Sequence, residues 1–209
     1  MYYTIVKAIL RFVFHIAFSL KYEGLENIPK DTVVIFTSNH RTNADPPLIG
    51  SSAYGKHAFM AKEELFENKF LSLLIRSLGA FPVSRGKGDM GAIDTAVQKL
   101  KSGRSLIIFP EGTRSKDGKV HKGQSGAALI AAKSGKPIVP VGIVFGEKLK
   151  FRTKLTIKYG KPIITQDYVE ISDEPNLRQI SKLKKRYMEE IKLLVEGEPE
   201  ILQEDSENA

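Results

Sequence analysis

The pattern of apolar and polar positions divides the chain into alternating helix-like and strand-like segments. Residues 1–20 are largely apolar, yet Lys7, Arg11 and His15 recur every fourth residue, which sets them along one helical face. Ile5, Ile9, Phe12, Val13 and Ile16 are among the apolar residues on the other faces. Residues 32–37 form a β-branched run that predicts a buried strand. Pro46 and Pro47 open a helix through about residue 54, since proline is tolerated in a first helical turn. Helical periodicity covers 63–77, and residues 80–84 read as a short extended piece. A helix is expected over 89–101, ended by Gly103, then a second core strand over 105–109. A long polar loop spans 110–122, and a small-residue helix spans 126–134, closed by Gly135. Further strands are expected at 137–144 and 154–159. Pro137 and Pro140 each remove a ladder donor, so the first of these two is expected to be an edge or irregular strand. Leu177, Ile180, Leu183, Tyr187, Ile191 and Leu194 form the stripe of a last helix over 175–195, capped by Ser172 or Asp173.

This alternation predicts an α/β fold, a central sheet flanked by helices. The 209 residues suit one domain over 1–195, followed by an acidic, disordered tail over 196–209. No repeat or internal linker interrupts it.

Charge sharpens the reading of the surface. The net charge is +8, but the tail holds six acids and no bases, so residues 1–195 carry 32 bases against 18 acids. Such a surface favours polyanions: lipid headgroups, nucleic acid, or acidic and phosphorylated molecules. At the N-terminus, a spanning helix would place Arg11 near the bilayer centre, at a cost of roughly 2.5–3.5 kcal/mol. An in-plane helix with Lys7 and Arg11 at the headgroups fits better. The alternative is an amphipathic helix docked on its own core. Cysteine is absent, which excludes disulfides, thiolate zinc sites and cysteine nucleophiles. The four histidines include no pair at helical metal-ligand spacing, and no metal is expected.

Four polar blocks carry candidate chemistry. The strand at 32–37 runs into Ser38-Asn39-His40-Arg41-Thr42-Asn43-Ala44-Asp45. Loops at strand ends are where α/β folds place reactive groups. His40 can accept a proton near neutral pH, and Asp45 can hold its other ring nitrogen. Alone, this spacing also occurs by chance, and Asp45 equally suits a helix N-cap. In Phe81-Pro82-Val83-Ser84-Arg85-Gly86-Lys87-Gly88, basic residues sit on a glycine-bracketed turn suited to phosphate. In Phe109-Pro110-Glu111-Gly112-Thr113-Arg114-Ser115, Arg114 suits phosphate and Glu111 can orient it or the loop. Pro137-Ile138-Val139-Pro140-Val141-Gly142 is the fourth block and reads almost as well as a plain core strand.

In this order the four blocks resemble those of the glycerolipid acyltransferase family, in particular its bacterial 1-acylglycerol-3-phosphate acyltransferases. The resemblance spans residues 39–142. It implies a sheet flanked by helices with an N-terminal membrane-contacting helical segment. It implies His40 as general base and Asp45 as its partner. It implies Arg85 and Arg114 in glycerol-phosphate recognition, with Glu111 and Gly112 shaping that loop, and Lys62 as a further phosphate contact. The implied reaction moves a fatty acyl group from a thioester to the sn-2 hydroxyl of 1-acylglycerol-3-phosphate, without an acyl-enzyme. No cofactor is implied; acyl-CoA or acyl carrier protein serves as thioester co-substrate. The expected partners are the lysophospholipid and an anionic membrane surface, not nucleic acid. The expected place is the cytoplasmic face of the cell membrane, as a peripheral or monotopic protein.

Rival chemistries lack their signatures. A serine hydrolase elbow needs Gly-x-Ser-x-Gly. Gly123-Gln124-Ser125-Gly126-Ala127 misses the last glycine and follows a loop. No phosphate-loop signature is present. A non-catalytic binding module explains the charge but not the His40–Asp45 spacing.

Overall fold

In the computed structural model, which describes residues 2–83 and 90–197, seven strands form one sheet. The strands are β1 (Ser19–Glu23), β2 (Ile35–Ser38), β3 (Lys56–Lys62), β4 (Ala80–Val83), β5 (Arg104–Ile108), β6 (Ile138–Val144) and β7 (Lys154–Tyr159). Their order is β1-β7-β6-β2-β5-β3-β4. The pairs from β6 to β4 are parallel, β7 runs antiparallel to β6, and β1 runs parallel to β7. The sheet is therefore mixed, and β2, β3, β4, β5 and β6 all end on one edge.

Side chains alternate across this sheet as strand geometry requires. Ile35, Leu106 and Ile138 pack into a core with helices α4 (Met90–Lys101), α5 (Gly126–Ser134) and α6 (Leu177–Glu196). Phe36, Ile107 and Val139 point the other way, toward α2 (Asp45–Ser52) and the flank of α1 (Tyr2–Ala17). A last helix, α3 (Lys69–Ser77), follows a 3-10 turn at Glu63–Phe66 and lies beside β4. Gly79 makes the tight return from α3 into β4: its φ is +100°, and a Cβ there would stand 2.1 Å from the His57 carbonyl oxygen. α6 crosses β6 so closely that a Cβ on Gly142 would meet Leu194 Cβ at 2.8 Å.

Several expectations are corrected. β6 is an interior strand, so of the two alternatives the edge falls away and the irregular strand remains. Its proline is tolerated because the β7 ladder starts only at Val141, while Gly160 donates to the Pro140 carbonyl and Ile138 bridges Ile163 beyond it. The missing Pro140 donor thus falls at a gap in the ladder. Asn176, rather than Ser172 or Asp173, caps α6, its side chain accepting from the Arg178 amide. β1 and β3 were not anticipated. β1 follows directly on an apolar helix and continues its pattern, and β3 has no β-branched residue to mark it.

α1 splits its bases: Lys7 turns inward, its Nζ donating to the carbonyls of Ala53 and Gly55, while Arg11, whose guanidinium lies over the Tyr22 ring, and His15 stay exposed. The apolar face turns outward, with Phe12 67% and Ile9 56% exposed beside Ile5, Val13 and Ile16. Lys7 thus anchors α1 instead of standing free, and Phe14 packs against the core. Among the described residues, no helix is long and apolar enough to cross a membrane. Of the acidic tail, only Glu196 and Gly197 lie within the described residues.

Candidate active site

β2, β5 and β6 are neighbours, so the loops leaving their ends converge. The β2 loop brings His40 and Asp45 together. His40 Nδ1 lies 2.8 Å from Asp45 Oδ2, with the aspartate fully buried and the imidazole 11% exposed. Asp45 sits in the first turn of α2 as the partner of His40, and the alternative role of helix cap falls away because Ala44 holds the N-cap position. Its carboxylate faces back along the loop and accepts from the amides of Arg41 (2.6 Å) and Thr42 (2.8 Å) and from the Thr42 hydroxyl (2.6 Å). These three donors lock the carboxylate, and the carboxylate in turn locks the ring.

The rest of the imidazole's setting comes from far along the chain. Its ring stacks on Phe109, with centroids 4.1 Å apart. The His40 amide donates to Glu111 Oε1 at 3.2 Å, and the His40 carbonyl accepts from the Ser115 amide at 2.7 Å. The second Glu111 oxygen accepts from the His121 amide at 3.1 Å. Glu111 is thus a buried tie between the His40 loop and the 109–125 loop, with no ion pair to Arg114 among the described residues. Burial raises its pKa, against the pull of those two amides. Asn39 ties the same loop to β6: its side chain donates to the Ile143 carbonyl (2.9 Å) and accepts from the Ile143 amide (2.8 Å).

His40 lines a cavity of about 500 Å³ on the α1–α2 side of the sheet. Its walls are mostly apolar, drawn from Leu10 of α1, Pro46 and Pro47 of α2, Phe59 and Met60 of β3, and Leu71 and Ile75 of α3. Lys62 and Arg114 also line it. Arg114 is exposed and donates from Nη1 to Asn43 Oδ1 at 3.2 Å; Lys62 donates to Glu64 at 3.0 Å. Gly112 takes a φ of +70°, which turns the loop between Glu111 and Arg114. Arg85, with the rest of the glycine-bracketed turn, lies outside the described residues.

A polar cluster that sequence reasoning missed sits in the same cavity. The Tyr3 hydroxyl lies 3.1 Å from His57 Nδ1 and accepts from the His57 amide at 2.9 Å, while His57 Nε2 finds no partner among the described residues. Burial lowers the His57 pKa to about 3, with the Lys7 charge adding to the effect. Lys7 itself falls to about 8, again through burial first and the neighbouring Arg11 second. No local motif marks these residues, because helix α1 and strand β3 meet only in the fold.

A buried, carboxylate-held imidazole with its second nitrogen free can take a proton from a hydroxyl and return it. The apolar cavity beside it suits an alkyl chain, and the cations at its wall suit an anion. A family model described as Acyltransferase matches residues 19–144. The chain belongs to the acyltransferase family. It is 35% identical over 182 residues to the 1-acyl-sn-glycerol-3-phosphate acyltransferase of Streptococcus pneumoniae, covering 83% of this chain and 67% of that protein. It is 28% identical over 187 residues to the Bacillus subtilis protein of the same name, covering 87% and 92%. The crystal structure of the 1-acyl-sn-glycerophosphate (LPA) acyltransferase PlsC from Thermotoga maritima superposes with a TM-score of 0.70 at 32% identity, over 91% of this chain and 79% of that one. In this acyltransferase the histidine loop and the Glu111–Arg114 loop both fall inside the matched region, and α1 precedes it.

Proposed function

We propose that the chain transfers a fatty acyl group from an acyl thioester to the sn-2 hydroxyl of 1-acylglycerol-3-phosphate, forming phosphatidic acid. The observation that carries this is the pairing of His40 and Asp45 at the mouth of an apolar cavity edged by Lys62 and Arg114. Relatives named for this reaction support the choice of acceptor.

In this reading neutral His40 removes the acceptor's hydroxyl proton at Nε2 as that oxygen attacks the thioester carbonyl. Asp45 stabilises the imidazolium that forms. The tetrahedral intermediate then collapses, the carbon–sulfur bond breaks, and the proton passes from His40 to the leaving sulfur. The hydroxyl is itself the nucleophile, so no acyl-enzyme is needed. Lys62 and Arg114, with Arg85, hold the acceptor's phosphate, while Glu111 and Gly112 set the loop that presents Arg114.

The outward apolar residues of α1, with Phe70 (89% exposed) and Leu73 (72%) of α3, are the surface that meets lipid. They flank the cavity, so a lysolipid reaches His40 without leaving the bilayer surface. The protein on this reading is a peripheral or monotopic enzyme of the cytoplasmic membrane face.

The test is thiol release from acyl-CoA and from acyl carrier protein against a panel of acceptors. Lysophosphatidic acid should be used best, and lysolipids without a phosphate monoester poorly. His40→Ala should lower turnover by at least about a thousandfold, and Asp45→Asn should also be severe. Near-normal turnover in a folded His40→Ala protein would remove the mechanism.

A further inference from the structure

Beside the apolar cavity lies a second concavity of about 760 Å³, bounded by the Arg41–Thr42 segment, the 113–116 loop and the loop that leaves β6. The two share Arg114. One loop borders both: His40 and Asn43 line the first cavity, and Arg41 and Thr42 line the second. One is apolar. The other carries Arg41, Arg114, Lys116, Lys148 and Lys150 against a single acid, Glu147.

The groove is built on a fixed frame. Arg41 donates to the carbonyls of Phe145 (2.6 Å), Gly146 (3.0 Å) and Glu147 (3.2 Å), and its guanidinium covers the Phe145 ring at 3.9 Å. That one side chain clamps the β6 loop to the catalytic loop. Lys116, Lys148 and Lys150 are exposed and form no ion pair among the described residues. Like charges gathered around a single acid on a held loop repel one another, and an anionic ligand relieves that repulsion.

We infer that this groove receives the phosphate-bearing pantetheine arm of the acyl-thioester donor. The inference rests on the proposed transferase activity. An acyl thioester is apolar on one side of its carbonyl and, through the pantetheine arm, anionic on the other. The protein presents the same polarity in the same order: apolar cavity, His40, basic groove. A donor lying across the shared loop puts its acyl chain in the cavity, its carbonyl beside His40, and its phosphate among Lys116, Lys148 and Lys150. The sulfur that leaves then departs on the groove side. The acceptor's phosphate is held on the cavity side, by Lys62 at the end of β3 and by Arg114 in the wall that the two spaces share. Coenzyme A and acyl carrier protein share the phosphopantetheine group, so the chemistry recognised is common to both.

The experiment uses the full chain with Lys116, Lys148 and Lys150 changed together to Ser, and Arg41 left in place to preserve the frame. Three donors carrying the same acyl chain are compared: acyl-CoA, acyl carrier protein, and the S-acyl-N-acetylcysteamine thioester, which lacks every phosphate. The wild type must first turn over lysophosphatidic acid; failure there removes the function reading, not this one. The preference for phosphate-bearing over truncated donor, as a ratio of kcat/KM, should fall at least tenfold in the triple variant. The fall should reside in donor KM and shrink as salt is raised. A fall with both natural donors assigns the shared arm phosphate. A fall with one alone still supports the groove and names its source, the nucleotide phosphates or the carrier protein. An unchanged ratio in a variant with a wild-type melting curve overturns the inference. So does an equal loss with the truncated donor, or a rise confined to acceptor KM.

Discussion

Asn39 shows how much of the site depends on single side chains that do no chemistry. Its amide substitutes for a strand partner, satisfying both the amide and the carbonyl of Ile143 at 2.8 and 2.9 Å. Asn39→Ala orphans two buried backbone groups, at about 1–3 kcal/mol each. Urea unfolding should show that loss, with turnover falling alongside as His40 loosens. Glu111→Gln presents a similar case. One amide donor can still find the side-chain oxygen, but the other would face an NH₂ group. The loop should loosen, and kcat should fall more than acceptor KM rises. Arg114→Ala should do the reverse. Losing one charge-assisted bond of about 1.5–3 kcal/mol should raise the KM for lysophosphatidic acid about 10- to 100-fold, with kcat little changed. Acceptors without a phosphate monoester should lose far less. Equal losses for both kinds of acceptor would separate Arg114 from the phosphate.

Helix α1 docks through Lys7, Leu10 and Phe14 and leaves its isoleucines and Phe12 facing out. A lipid contact made by this face is therefore apolar before it is electrostatic. Ile9→Glu with Phe12→Glu should weaken binding to vesicles by more than tenfold, since each side chain contributes about 1.5–3 kcal/mol when fully buried. Neutral vesicles should be affected as well as anionic ones. Both residues are exposed in the fold, so the melting curve should hold. Flotation equal to wild type would show that this face meets no lipid. Lys7→Glu belongs to a different experiment, because Lys7 lines the cavity and fastens α1 to the loop after α2. That change should lower thermal stability.

At the scale of the molecule, α1, the sheet and the cavity meet at His57, which is 1% exposed and packs 5.8 Å from the Phe36 ring. Its pKa falls from 6.5 to about 3 on folding, through burial. Between those values the unfolded chain binds a proton that the folded one refuses, so stability rises with pH across this window and is lost as pH drops from 6.5 toward 3. Urea unfolding from pH 7 to pH 4 should show a steeper decline for wild type than for His57→Gln, which has no proton to take up. Parallel slopes would mean that His57 charges as easily folded as unfolded. Much of this molecule was legible in the sequence, and for physical reasons. Helices and β-branched strands announce themselves by local periodicity, so α5 and β7 were placed to the residue and the α/β class followed. His40 and Asp45 share one short loop, so their meeting needed no long-range contact. Other features depend on which distant segments pack together, and local pattern is silent there. The bare strand β3, the inward anchorage of Lys7, the ties of Asn39 and Glu111 and the Tyr3–His57 contact are all of that kind. So is the division into an apolar cavity and a basic groove, which exists only because β2 lies between β5 and β6 in the sheet.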